Sequence, residues 1–462
     1  MNFVKHTSYL FGFAVILLLA ACGDDDEPAA PITLNFSSAE LGITDDNTSV
    51  EVPIALSRSV GQDEMVMVRI NSNNLTYGES ADYYTVPAAT GGEISLSVSA
   101  NTQDVSFQVL KGAGLNIQQD ESLTLTLVST QDNIVVGDNS SATVSFSENF
   151  IAPSGTVELN AGGAAFPDQA FFDFSKSTQT NVSKNSWDLG FSTVSGQFAV
   201  VLNASAYHMA RQLDATVMQD VTSADTVGFA SEMVIPQFDP GVGSIGWIDT
   251  PDGNLATTAF GEIAESELEA KIYIVRRLNG DWKKVKVFRS GDNYTVQYTD
   301  IDDPSFLFTE VNKDSEANFN FFSFESGEVS VEPAKDSWDI MYSTYTTSLN
   351  LGGPGLDIPY GFNDYIIINR NNTEVAMVMI EDIGYDAFTA TNATSIEFVS
   401  DIDAIGSSWR QGGGPDSGPQ LFDDRFFVIR DADGLLYKFR FTRLTSASGE
   451  RGYPEFTFEI VE

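Results

Sequence analysis

Residues 155–462 repeat themselves. Phe171-Phe172-Asp173-Phe174 returns as Phe321-Phe322-Ser323-Phe324, and Ser186-Trp187-Asp188-Leu189 returns as Ser337-Trp338-Asp339-Ile340. Tyr273-Ile274-Val275-Arg276, Asn279-Gly280 and Lys284-Val285-Lys286-Val287 return as Phe427-Val428-Ile429-Arg430, Asp433-Gly434 and Lys438-Phe439-Arg440-Phe441. The order is kept at an offset of about 150 residues, which points to two copies of one folding unit. Asp431-Ala432-Asp433-Gly434 has the look of a calcium loop, but its copy, Arg277-Leu278-Asn279-Gly280, has no carboxylate. Asn-Gly and Asp-Gly between alternating apolar runs are hairpin turns, because both tolerate φ > 0. Two antiparallel β-units are predicted, over 155–300 and 301–462.

Upstream, Val50–Leu56, Met65–Ile70, Val105–Val109, Leu123–Leu127 and Ala142–Phe146 alternate between apolar and polar residues. Short strands at this spacing predict a β-sandwich over 32–147. One helix is expected from Ala204 to Met218, where Ala, Leu and Met favour it and residues 206, 209, 210, 213 and 217 share a face. The fold class is therefore all-β, with one or a few short helices. Hydrophobic residues make up 42% of the chain, enough to form cores, so disorder is not expected.

The amino-terminus carries an address. A short basic region precedes an apolar run from Tyr9 to Ala21, too short for a membrane span and of the length of a secretory signal. It closes on Leu19-Ala20-Ala21-Cys22, which resembles the bacterial lipobox. The resemblance implies a signal peptide over 1–21, cleavage before Cys22, and lipid chains on Cys22 that anchor the protein to a membrane without a spanning helix. Residues 22–31 read as a tether. Its acidic run, Gly23-Asp24-Asp25-Asp26-Glu27, resembles the export signal of surface lipoproteins in Bacteroidota-type bacteria. The implied address is the outer membrane, facing the cell exterior.

Composition then removes several functions. Asp and Glu number 65 against 24 Lys and Arg, a net charge of −41, which repels nucleic acid phosphates. Cys22 is the only cysteine, so disulfides and thiol catalysis are excluded once it is acylated. Of two histidines, His6 leaves with the signal and only His208 remains, so no single chain can build a two-histidine metal site. No hydrolase, kinase or dinucleotide signature is present. The glycine-rich stretches Gly352–Gly355 and Gly412–Pro415 contain proline and lack a following Lys-Ser/Thr, so they read as loops. An enzyme is not expected.

The amino-terminal segment resembles the Calx-beta family through Ser80-Ala81-Asp82-Tyr83 and Asp120-Glu121 ahead of Leu123-Thr124-Leu125. Members of that family often bind calcium with clustered carboxylates. The family's acidic cluster is replaced here by Gly114–Gln119, leaving scattered Asp45, Asp46, Asp82 and Glu121. A spacer that lifts the rest of the chain from the membrane is the expected role.

The last unit resembles the HmuY-like family of haem-binding lipoproteins, through Phe321–Val329, Trp338-Asp339-Ile340, Arg425–Arg430, Ala432-Asp433-Gly434 and Lys438. Through the repeat, the resemblance extends more weakly to 155–300. It implies haem or a related porphyrin as ligand, held between two axial histidines or methionines, with hand-over to an outer-membrane transporter. One ligand position aligns near Gly413, which cannot ligate. The other aligns near Met377 and Met379, which point to one face of a strand and offer thioethers, recognised axial ligands of haem iron. In the first unit, His208 and Met209 are the candidates. Trp187 and Trp338, each followed by Asp, are expected to be structural. Propionates require cations, and Arg276, Arg277, Lys283, Lys284 and Arg289 cluster in one unit, with Arg425, Arg430, Lys438, Arg440 and Arg443 in the other. Two readings compete: a binding module for a glycan or peptide, and a structural or adhesive surface protein.

Overall fold

The structure is a computed structural model that describes residues 31–44, 47–115, 117, 121–128, 133–227, 244–277, 280–350, 352–413 and 418–462. It is nearly all β. Residues 32–146 form two five-stranded sheets. One runs in the order Tyr83–Val86, Asp104–Lys111, Ser49–Leu56, Ile32–Phe36, Ile134–Val136. The other runs Glu40–Ile43, Ser141–Phe146, Glu121–Val128, Glu64–Asn73, Glu93–Val98. Alternate residues such as Val52, Ile54, Leu125 and Phe146 face inward and share one core, as a two-residue period requires.

The repeated region builds two further sandwiches, and the copies exchange strands between them. In the central sandwich, Val200–Leu202, Leu189–Ser192, Phe319–Ser323 and Gly327–Val329 form one sheet. Its partner sheet is Met209–Leu213, Ile272–Arg276, Trp282–Ser290, Asn293–Asp300 and Leu307–Val311. In the carboxy-terminal sandwich, Thr178–Ser183, Asp168–Asp173, Ile340–Asn350 and Asp357–Ile368 form one sheet. The other is Ser154–Glu158, Glu455–Ile460, Leu436–Arg443, Arg425–Arg430 and Glu374–Met379. The opening strands of each copy thus lie in the sandwich that the other copy completes, so the sequence repeat and the folded unit differ. Phe172 and Phe174 of the first copy pack against Phe456 and Phe458 of the second, while Phe322 and Phe324 of the second pack against Tyr298 of the first.

Equivalent side chains fasten both exchanges. The Phe324 N–H donates to Asp188 at 2.8 Å, and the Phe174 N–H donates to Asp339 at 2.7 Å. Asn203 donates through its amide to the carbonyls of Lys184 and Trp187, each at 2.7 Å, and Asn369 does the same to Lys335 and Trp338. Trp187 meets Phe321 edge-on at 4.7 Å and Trp338 meets Phe171 at 5.1 Å, both Trp side chains buried. Asp433-Gly434 is a hairpin turn: Gly434 has φ 85° and Asp431 bonds Leu435 across it.

The expected helix at 204–218 is absent. The Asn203 side chain accepts from the Ala206 N–H, Tyr207 takes a left-handed φ of 57°, and the chain enters the strand Met209–Leu213 against Ile272–Arg276. Tertiary pairing overrides local propensity there.

The two junction aspartates differ in surroundings. Asp188 faces Arg277, whereas burial and the neighbouring Asp173 push Asp339 well above the usual carboxylate range. Asp188→Asn keeps an acceptor for Phe324 but removes one of the carboxylates on Arg277, which retains Glu325, and is expected to cost about 2–3 kcal/mol. Asp339→Asn retains an acceptor for Phe174 and removes a carboxyl group from beside Asp173, at a cost of about 1 kcal/mol. Urea unfolding of both variants near neutral pH checks this; the reverse order would contradict it.

Candidate functional site

Glu374–Met379 is the edge strand of its sheet; among the described residues, beyond its ladder to Arg425–Arg430, it meets an isolated bridge from Val399 to Val375. Val375, Met377 and Met379 share one strand face. Val375 lies in the sandwich core, but Met377 emerges at 49% exposure, with Met379 half-buried beside it. Met377 pairs with Phe427 and Met379 with Arg425.

A cation and a ring complete this edge. The Arg425 Nη1 lies 3.8 Å from the Met377 Sδ and donates to the Ser408 carbonyl at 3.1 Å. Its Nε donates to Asp424 at 2.7 Å, and the guanidinium lies 3.9 Å from the centre of the Phe422 ring. Phe422 follows the short hairpin of Arg410–Gln411 and Gln420–Leu421, which carries the glycine-rich stretch. Gly412 and Gly413 are on this hairpin; residues 414–417 lie outside the described residues. The edge therefore presents two soft thioether donors, one guanidinium and one aromatic face. Two residues apart on a strand is about 6.6 Å, and both sulfurs lie on the same side. Such a pair can supply one axial position of an iron, not both.

Phe422 carried no periodic signal in the sequence. The matching register in the first copy places Gln212 opposite Tyr273, where the second copy has Met377 opposite Phe427. The fold accepts an amide at this place, so the exposed thioether is not demanded by packing.

The candidates in the first copy are buried. Met209 is 1% exposed and packs with Met218, Val221 and Ile274. His208 is 4% exposed, with its Nδ1 3.6 Å from Asp188 Oδ1. That oxygen also faces Arg277 Nε at 2.8 Å, in a pair angled poorly for a hydrogen bond. Arg277 in turn binds the Glu325 carboxylate. His208 and Met209 thus correct the expectation of an accessible ligand pair: a haem iron reaches neither without opening this core.

Most of the basic residues are engaged elsewhere. Lys284 and Lys438 are buried at equivalent positions and donate to the carbonyls of Val221 and Tyr385. Lys283 pairs with Asp300, Arg289 with Glu262 and Glu265, Arg430 with Glu374, and Arg443 with Glu158 and Glu455. Arg440 lies over the Tyr385 ring. In the amino-terminal sandwich, Asp82 accepts from the Thr76 N–H, and the described residues contain no cluster of three or more metal-ligating side chains. Asp45, Asp46 and Cys22 lie outside the described residues.

The family model described as HmuY protein matches residues 315–458. The matched segment contains the methionine edge and also the hairpin Phe319–Val329, which sits in the central sandwich. No curated protein matches the chain. Solved structures similar to it include the apo-form Calx CBD1 domain, at 14% identity over 25% of this chain and 96% of that one, with a TM-score of 0.22. The Calx CBD2 domain is similar at 16% identity over 25% and 85%, TM-score 0.19. A two-domain protein of unknown function from Bacteroides fragilis is similar at 8% identity over 37% and 78%, TM-score 0.19. Similarity at this level carries no functional information.

Burial first, and then Arg277, push His208 down to about 3, so it is neutral in the fold. Unfolded, it binds a proton near 6.5. The unfolded state thus holds more protons between these values, and stability falls as pH drops below 6.5, by about 1.4 kcal/mol per unit from this group. Proton NMR is expected to show no His208 titration between pH 5 and 8; a midpoint near 6.5 would contradict its burial.

Proposed function

We propose that the protein is a lipid-anchored receptor at the cell surface that binds haem or a related porphyrin and passes it to an outer-membrane transporter. The observation that carries this reading is the HmuY match over 315–458, within which two thioethers, Arg425 and Phe422 meet at one exposed sheet edge. Met377 or Met379 supplies one axial ligand to the iron. Arg425, which Asp424 holds in place, hydrogen-bonds a propionate, and Phe422 lies against the ring. Cys22 holds the chain to the membrane, and the amino-terminal sandwich acts as a spacer. The chain binds and releases; it performs no chemistry on the ligand.

Protein beginning at Gly23, titrated with haemin in oxidising and reducing conditions, is expected to shift the Soret band. The double change Met377→Ala/Met379→Ala weakens binding at least tenfold, while His208→Ala, checked for folding by circular dichroism, leaves the band position unchanged. No spectral shift in either redox state would overturn the reading.

A further inference from the structure

A cavity lies where the two exchanged sandwiches meet, away from the methionine edge. Phe171, Trp187, Phe321 and Trp338, the four rings that fasten the exchange, wall one side of it. Domain interfaces are favoured places for small-molecule sites. Its volume is about 100 Å³, below the roughly 150 Å³ of a cavity that holds benzene. A porphyrin does not fit.

The polar groups in it are donors in want of an acceptor. Trp187 donates its indole N–H to Gln169 at 2.9 Å. In the second copy the residue at the place of Gln169 is Phe319, and the Trp338 indole nitrogen, buried in the same wall, has no partner among the described residues. The buried Thr258 hydroxyl is likewise without a partner. Arg370 also lines the cavity, with its guanidinium 4.7 Å from the centre of the Phe319 ring and donating to the Gly253 carbonyl at 3.2 Å. Among the described residues no carboxylate lies within the 4.0 Å of an ion pair with it. Glu332 and Asp249 supply opposite charge to it only from beyond that distance, so neither carboxylate hydrogen-bonds its guanidinium.

The two carboxyl groups of the cavity are already engaged. Asp249 accepts from the N–H groups of Leu202 and Ala259, at 2.6 and 2.8 Å. Glu332 accepts from those of Asn318 and Phe319, at 2.8 and 3.1 Å. Burial pushes Asp249 up to about 6 and Glu332 up to about 7, which softens their opposition to an incoming anion.

We infer that this cavity binds a small aliphatic carboxylate, its oxygens on Arg370 and the Trp338 indole N–H and its short apolar tail against the aromatic wall. The volume limits the tail to about two or three carbons. This site is independent of haem capture at the sheet edge.

Calorimetric titration of the protein beginning at Gly23 with butyrate tests it, with butyramide as the uncharged control. One butyrate is expected per chain, with butyramide at least tenfold weaker. Arg370→Met abolishes binding, and Trp338→Phe, which keeps the ring and removes the orphaned donor, weakens it about fivefold. Haemin binding is unchanged by saturating butyrate. Absence of butyrate binding at millimolar concentration means the cavity holds only water and overturns the inference. Equal affinity for butyramide, or butyrate binding untouched by Trp338→Phe, overturns it as well. The Trp338→Phe arm stands even where Arg370→Met fails to fold.

Discussion

The repeated region depends on two buried carboxyl groups that each receive a backbone N–H from the other copy. Asp188 takes Phe324 and Asp339 takes Phe174. A buried hydrogen bond of this kind is worth about 0.5–1.5 kcal/mol to a neutral acceptor and about 1.5–3 kcal/mol to a charged one. They hold strands that would otherwise be free edges of two incomplete sheets. Around them, Asn203 and Asn369 tie down the turn that leads into each tryptophan, and Trp187 and Trp338 cover the seam. The exchange makes one body of the two copies. It also creates the cavity at their junction and leaves Glu374–Met379 as an exposed sheet edge.

The two copies have diverged where the fold permits it. Around Asp188 stand His208 and Arg277; around Asp339 stand Asp173 and Asp431. At one junction a cation faces the carboxylate; at the other, burial and the neighbouring carboxyl groups push Asp339 well above the usual carboxylate range. Gln212 and Met377 occupy one register position, as do Gln169 and Phe319. The first of these changes places a thioether at the surface. The second strips an indole of its partner. Both candidate sites thus arise from departures from the repeat, at places where packing tolerates either residue.

Strands were legible wherever alternation set the buried face, as in Ser49–Leu56 and Leu123–Leu127, and the hairpin at Asp433-Gly434 followed from its turn chemistry. Strand exchange was not, because ladder partners such as Phe172 and Ile340 are chosen by tertiary packing. The region 204–218 had helical composition, but the Asn203 amide and the Tyr207 conformation are three-dimensional facts. Period two placed Met377 and Met379 on one face; their exposure came from the edge position of the strand. Arg425 was visible only as one of several basic residues, and its contact with Met377 follows from the cross-strand register. His208 looked available because no local pattern reveals that Asp188 and Arg277 close around it.

The central functional claim is that a thioether of Met377 or Met379 binds haem iron. X-ray absorption at the iron edge of the haem-loaded protein reads the ligand element directly. The account predicts a sulfur atom bound to iron, lost in Met377→Ala/Met379→Ala. An iron surrounded only by nitrogen and oxygen in the unsubstituted protein would contradict it.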